Sequence, residues 1–299
     1  MTRRTIRKDA SVALGLLCSI LPDYIYSNVL PLLLESLETG DFNCRHGALH
    51  AIGDICVGLK NRDHISVDLV DKINNTLTVL DTRGSFRGSG GDEMRGAVCY
   101  FIEKISNAGV ALTGKTIKAW QEFLDVCIVN PEQFVGVQAM SVAALRGFSY
   151  QYYTESNPEV WARIVEHYTS HIRHEFTATR VGSALALSVL PGRVLNQATT
   201  SLIRILAPCT KVQSKSETSL AECRVSAVKA ITNVQLVCQC NSEMRAQIYA
   251  VLLECLEDYS TDSRGDIGSY VREAAMTCLM KCNQFTLSKG HPTSRNINF

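Results

Sequence analysis

Seven copies of one short pattern recur along this 299-residue chain: a polar residue, usually Arg, then mostly small residues three and six positions later, and Leu or Ile at the seventh. The copies read Arg7/Ala10/Ala13/Leu14, Arg45/Ala48/Ala51/Ile52, Arg95/Val98/Phe101/Ile102 and Gln138/Ser141/Ala144/Leu145. They continue as Arg180/Ser183/Ala186/Leu187, Arg224/Ala227/Ala230/Ile231 and Arg272/Ala275/Cys278/Leu279. Offsets 3 and 7 lie on one face of a helix, with 6 close beside them. Small residues there let a neighbouring helix approach closely, and the Leu or Ile fills the groove between the two. Successive copies start 38, 50, 43, 42, 44 and 48 residues apart.

A period in the forties with helical spacing inside each copy is the signature of a HEAT or armadillo-like solenoid, so the chain is expected to be all-α, with about six to seven helix pairs. The pattern marks the second helix of each pair. First helices are expected over Asn28–Thr39, Val67–Leu80, Lys115–Val129, Pro158–Ile172, Val194–Leu206 and Ser242–Leu256. Gly40–Asp41 and Pro191–Gly192 read as stop-and-start signals, and Thr82–Gly91 as a loop. The array is expected as one continuous solenoid over 1–282, followed by an irregular tail over 283–299 where periodicity fades. Both ends read as unfinished: the first copy has no first helix before it, and neither end offers a polar capping face of the kind terminal repeats need.

An Arg in the first turn of a helix opposes the helix dipole and wants a carboxylate nearby. Asp41 precedes Arg45, Asp92 and Glu93 precede Arg95, Glu222 precedes Arg224, and Asp266 precedes Arg272. These are expected to be structural bridges within or between repeats.

Thirty basic residues against 29 acidic ones leave a net charge of +1. That balance argues against a nucleic-acid or membrane-surface binder, which would need a basic excess. Twelve cysteines are present, and most sit in apolar helical stretches, where a free thiol packs as a small hydrophobe; reduced thiols are expected. Arg3, Arg4, Arg7 and Lys8 before the apolar run Ala10–Leu21 imitate a secretory leader, but Asp9 interrupts it, no A-x-A-like site follows, and the run carries the repeat pattern. No stretch reaches the ~18 apolar residues of a membrane-spanning helix.

Chemistry-bearing motifs are sparse. There is no Gly-rich phosphate loop and no G-x-S-x-G elbow, so no catalytic residue, cofactor or metal is assigned and the chain is expected not to be an enzyme. His167, His171 and His174 share a helical face but lack further ligands at suitable spacing, and Cys238/Cys240 and Cys278/Cys282 lack a matching second pair. The densest polar loop is Asp258–Asp266, in which Asp262, Arg264 and Asp266 alternate in charge and Gly265 and Gly268 let the backbone turn tightly. Asp258, Tyr259, Thr261, Asp262, Arg264, Asp266 and Arg272 are the candidate partner-binding residues. The structural alternative is that Asp266 or Ser269 caps the next helix while Arg264 and Arg272 complete a ladder to an adjacent repeat.

The stretch Leu256–Met280, LEDYSTDSRGDIGSYVREAAMTCLM, resembles a segment of the tubulin-folding cofactor D family. Cys44–Ile52, Gly91–Ile105 and Arg180–Pro191 support the resemblance in the same order; it covers roughly 5 to 282 but only part of the family's length. The resemblance implies a HEAT/armadillo-like chaperone that binds β-tubulin and assembles with cofactors C and E around the α/β heterodimer, where GTP hydrolysis by tubulin is stimulated. It also implies an Arf-like small GTPase as a partner and a cytoplasmic location, with microtubule or centrosome association. The alternative of another class is a generic HEAT-repeat scaffold or adaptor, which would share the repeat pattern without the Leu256–Met280 stretch.

Overall fold

Every copy of the repeat pattern falls in a helix of its own in the computed structural model, which describes residues 3–60, 65–130, 135–154, 157–213, 218 and 220–290. The fold is all-α and built of helix pairs. It divides into two compact units, Met1–Ser156 and Asn157–Phe299.

In the first unit the pattern helices are α1 (Arg3–Leu17), α4 (Phe42–Gly58), α6 (Gly91–Ala108) and α8 (Val135–Tyr152). They stack on one another in chain order. The first helices, α3 (Leu30–Thr39), α5 (Val67–Thr82) and α7 (Gly114–Val129), form the other layer. A short α2 (Pro22–Tyr24) leads into a π-helical turn at Ile25–Val29. Pro31 supplies the reason for that turn: it lacks an N–H and its ring crowds the carbonyl four residues back, so the ladder widens there.

The core lies between the layers. Leu49, Ile52, Ile55, Ile102 and Ile105 are fully buried, each worth about 2 kcal/mol of apolar transfer. Phe101 meets Trp120 edge-on at 5.8 Å, which ties α6 to α7. The residues at offsets 3 and 6 are buried in α4, α6 and α8 alike: the small Ala48 and Ala51 in α4 and Ser141 and Ala144 in α8, and the larger Val98 and Phe101 in α6. Polar caps start the helices: Asp41 accepts from Cys44 N at 2.8 Å, Ser66 from Leu69 N and Thr113 from Thr116 N at 3.2 Å, each worth about 1 kcal/mol.

The second unit repeats the plan. Its pattern helices are α10 (Thr177–Leu187), α13 (Ala221–Val237) and α15 (Gly268–Gly290), stacked in that order. The other layer holds α9 (Pro158–His171), α11 (Gly192–Leu195), α12 (Thr199–Cys209) and α14 (Ser242–Glu254). Two expectations change here. The helix expected over Val194–Leu206 is broken by a 3-10 turn at Asn196–Ala198. Asn196 Oδ1 accepts from Gln239 N at 3.0 Å and its carbonyl accepts from Thr199 Oγ1 at 2.9 Å, local polar bonds that compete with the helical ladder. The tail expected to be irregular from Asn283 is helical through Gly290. Losing apolar periodicity removes a buried face but not helix propensity, and no Gly or Pro interrupts the chain before Gly290.

The repeat Arg has a job that sequence spacing alone did not reveal. Arg45 Nη1 donates to the Gly40 carbonyl at 2.7 Å, Arg224 Nη1 to Thr218 at 3.2 Å, and Arg272 Nη1 to Asp258 at 2.5 Å. Gln138 Nε2 does the same to Ile128 at 2.8 Å, which explains why an amide can stand in the pattern. Arg45, Arg224 and Arg272 tie down the connection that precedes their own helix, and Gln138 ties α8 to the last turn of α7. The expected acid partners are present for Arg95, 3.2 Å from Asp92, and for Arg272, 2.6 Å from Asp266. Asp41 instead caps α4, and Glu222 pairs with Arg264.

Candidate partner-binding site

Six of the seven candidate residues lie in the passage from α14 to α15 and Arg272 stands near the start of α15, and they fall into two groups. After α14 a 3-10 turn at Cys255–Glu257 delivers Asp258, whose side chain points inward. Its Oδ2 accepts from Arg224 Nε of α13 at 2.8 Å, and both side chains are shielded, at 9% and 3% exposure. Its Oδ1 accepts from Ser260 N at 3.0 Å and from the Ser260 hydroxyl. Burial opposes the ionised form of Asp258, but the Ser260 bonds and the Arg224 charge outweigh it and hold the carboxyl below its ordinary value.

From this anchor the chain forms a miniature hairpin, β1 (Thr261–Asp262) and β2 (Gly265–Asp266), with Thr261 opposite Asp266 and Asp262 opposite Gly265. Gly265 sits at φ +103, a left-handed conformation that a side chain would strain. Arg264 N donates to Asp262 Oδ1 at 2.7 Å, and its guanidinium grips Asp262 Oδ2 at 2.8 Å and Glu222 of α13 at 2.9 Å. These bonds lower the Asp262 pKa and raise that of Arg264. Beyond the hairpin, Asp266 Oδ1 accepts from Ser269 N at 3.1 Å, which caps the start of α15. Arg272 returns to Asp266, and the ion pair lowers the carboxyl pKa; the same guanidinium lies 4.8 Å over the ring of Tyr259. Ile267 and Val271 are buried beneath, and Gly268 is pressed so close that a Cβ would stand 2.2 Å from the Asp258 carbonyl.

The hairpin is therefore held by Asp258, Asp266 and Arg272, while Tyr259, Thr261 and Arg264 face water; Asp262 orients Arg264. Tyr259 is 67% exposed although its neighbours are fixed. Sequence reasoning missed Arg224 as the partner of Asp258, 34 residues away, and it missed the exposed Tyr270 at the foot of α15. The ladder to an adjacent repeat exists, but Arg224 and Arg264 make it rather than Arg272.

A second feature lies in the first unit. Asp54 of α4 is buried and receives Ser11 Oγ of α1 at 2.8 Å, Tyr100 OH of α6 at 2.9 Å and Lys104 Nζ at 3.0 Å. Burial together with the Asp54 carboxylate pushes the Tyr100 hydroxyl up to about 12. Beside it His46 stacks on His50 at 4.9 Å, and His50 meets Tyr100 at 4.4 Å. Burial lowers His50 to about 4, so its ring is neutral at pH 7. These rings line a cleft of about 480 Å³ with Asp92, Glu93 and Met140. In the second unit His167, His171 and His174 form a ring ladder with centroids 5.0 and 5.8 Å apart. Among the described residues no three potential metal ligands converge, and no helix is long and apolar enough to cross a membrane.

The chain is similar to Tubulin-specific chaperone D of Dictyostelium discoideum, 34% identical over 104 residues. That match covers 33% of this chain and 7% of the relative's length. No family model matches the chain. Among solved structures, a designed armadillo repeat protein aligns over 84% of this chain and 99% of its own at 16% identity and TM-score 0.40. An engineered protein aligns over 86% and 98% at 17% identity and TM-score 0.44. A designed armadillo repeat protein in complex with the peptide (KR)4 aligns over 83% and 98% at 15% identity and TM-score 0.40. The fold class rests on the helix pairs themselves.

Proposed function

We propose that this chain is a non-enzymatic chaperone segment that holds β-tubulin during assembly of the α/β heterodimer. The observation that carries the reading is the anchored hairpin: Tyr259 and Arg264 face solvent on a loop whose base is locked by a buried ion pair. Tyr and Arg dominate binding energy at protein interfaces, and fixing them before contact lowers the entropy lost on binding. The similarity to a tubulin-specific chaperone supports tubulin as the partner. In this reading cofactors C and E and an Arf-like small GTPase join the same assembly in the cytoplasm, at microtubules or centrosomes, and tubulin supplies the GTP hydrolysis that the assembly stimulates.

The cleft beside His50 and Tyr100 favours a second reading, a general repeat scaffold that grips a peptide there. Capture of purified tubulin by the immobilised chain separates the two. Tyr259→Ala and Arg264→Ala should each weaken capture, whereas His50→Ala should leave it intact. Tubulin capture lost only with His50→Ala would overturn the hairpin as the contact, and no capture by the unaltered chain would remove tubulin from the proposal.

A further inference from the structure

The cleft of the first unit is walled by a row of rings. Phe42, His46 and His50 follow one another at four-residue steps along α4, and Tyr100 of α6 continues the row, with centroids 6.3, 4.9 and 4.4 Å apart. His46, His50 and Tyr100 line the cleft, and Met140 of α8 joins them. Met140 lies so close over Gly96 of α6 that a Cβ there would stand 2.5 Å from its methyl carbon.

His50 is the unusual member of the row. It is 8% exposed, yet its Nδ1 has no hydrogen-bond partner. Asp54, one turn further along α4, shows the normal arrangement for a buried polar group: Ser11, Tyr100 and Lys104 all converge on its carboxylate. Burial keeps the His50 ring neutral at pH 7, so it offers one N–H donor and one bare acceptor nitrogen. A buried polar group without a partner is costly, and native structures keep few of them.

The remaining lining narrows what could complete it. Lys8, Asp92 and Glu93 are the charged members, and Asp92 is already 3.2 Å from Arg95, so two cations stand against two carboxylates and the cleft selects neither an anion nor a cation. An uncharged ring suits the wall, because ring pairs attract one another and a thioether sulfur adds a favourable contact at a ring edge. A Phe ring would leave His50 unpaired, and Trp brings a donor alone. A Tyr hydroxyl both donates and accepts, so it satisfies an imidazole in either tautomer.

We propose that this cleft is a docking site for a tyrosine side chain on an exposed segment of a partner protein, its ring against His46, His50 and Met140 and its hydroxyl bonded to the His50 imidazole. The proposal rests on the reading of the cleft as a peptide grip and is independent of the hairpin.

Blocked pentapeptides Gly-Ala-X-Ala-Gly, with Tyr, Phe, Leu or Ala at X, test it against the full 299-residue chain. The chain carries ¹³C at its methionine methyls and is followed by NMR, with the Met140 signal assigned through Met140→Leu. The Tyr peptide should shift the Met140 methyl and saturate at about one-tenth the concentration that the Phe peptide needs, the difference one hydrogen bond makes. His50→Phe keeps the ring wall but removes the nitrogens, so Tyr and Phe peptides should then bind alike. Circular dichroism checks that this variant keeps its helices, and the ratio of Tyr to Phe affinity on the unaltered chain decides the matter without it. Equal affinity there would overturn the proposal by removing the bond to His50. An Ala peptide that binds as well as Tyr would overturn it while leaving the broader peptide reading in place. No shift of Met140 with any peptide would overturn both, and leave an ordered water as the partner of His50.

Discussion

The Nε of Arg224 in α13 donates to Oδ2 of Asp258 at 2.8 Å, joining two side chains almost wholly withdrawn from water. This pair fixes the hairpin base to the preceding repeat. Removing one member strands the other as a buried charge, and such losses run to about 3–5 kcal/mol. Arg224→Met should therefore lower the unfolding free energy by that order in urea titrations. Arg224→Met combined with Asp258→Leu should recover a large part of it, because no unpaired charge then remains.

Arg264 behaves differently. Its side chain is half exposed and its ion pairs to Asp262 and Glu222 lie at the surface. Arg264→Ala should shift stability by no more than about 0.5 kcal/mol. Under the proposed function the same change weakens tubulin capture. A thermal melt and a capture assay on this one variant separate anchoring from contact.

Acid should weaken this region. The carboxyls of Asp258, Asp262 and Asp266 all titrate below their ordinary 3.8 in the folded chain. A carboxyl whose pKa is depressed by folding stabilises the fold above its unfolded value, and that stability is lost as pH falls through the folded one. Melting temperature should thus be insensitive to these groups near neutrality and drop below about pH 4. Asp258→Asn should lower stability at pH 7 and flatten the acid limb, as melts across the pH range would show.

Thiol labelling gives an independent check on the core. All twelve cysteines are free; eleven are buried and Cys44 is exposed. Burial pushes the Cys56 thiol up to about 12 and those of Cys238, Cys255 and Cys282 up to about 11. Brief alkylation of the native protein followed by mass spectrometry should mark Cys44 alone, and all twelve should react in denaturant. Rapid labelling of Cys56 or Cys282 would contradict the stacking of the pattern helices.

The helices were legible in the sequence because their periodicity is local: each of the seven pattern copies lies in its own helix, and the Gly40–Asp41 signal marks a start that the Asp41 cap confirms. The candidate loop was legible too, as an unusual density of Asp, Arg and Gly. Its internal wiring was not. Arg224 has Glu222 two residues away, and only the packing of α13 against the α14–α15 passage reveals that it reaches Asp258 instead. Asp54 carries no signal of burial in its own helix, since the Ser11, Tyr100 and Lys104 that satisfy it come from two other helices.

The clamps from Arg45, Gln138, Arg224 and Arg272 to an upstream carbonyl have a bearing on how such a chain can grow. The pinned carbonyls of Gly40 and Thr218 stand close before the helix they introduce, whereas Ile128 in the last turn of α7 and Asp258 just after the 3-10 turn stand at the far end of their connections. The clamp spans a single residue between Gly40 and α4 and nine between Asp258 and α15, so it tolerates connections of different length. Repeat starts that range from 38 to 50 residues apart can therefore coexist with one stacking register within a unit. For protein engineering, this makes the stretch between a clamped carbonyl and the helix that follows the natural place to splice in new sequence, and the clamping side chain the one to leave alone.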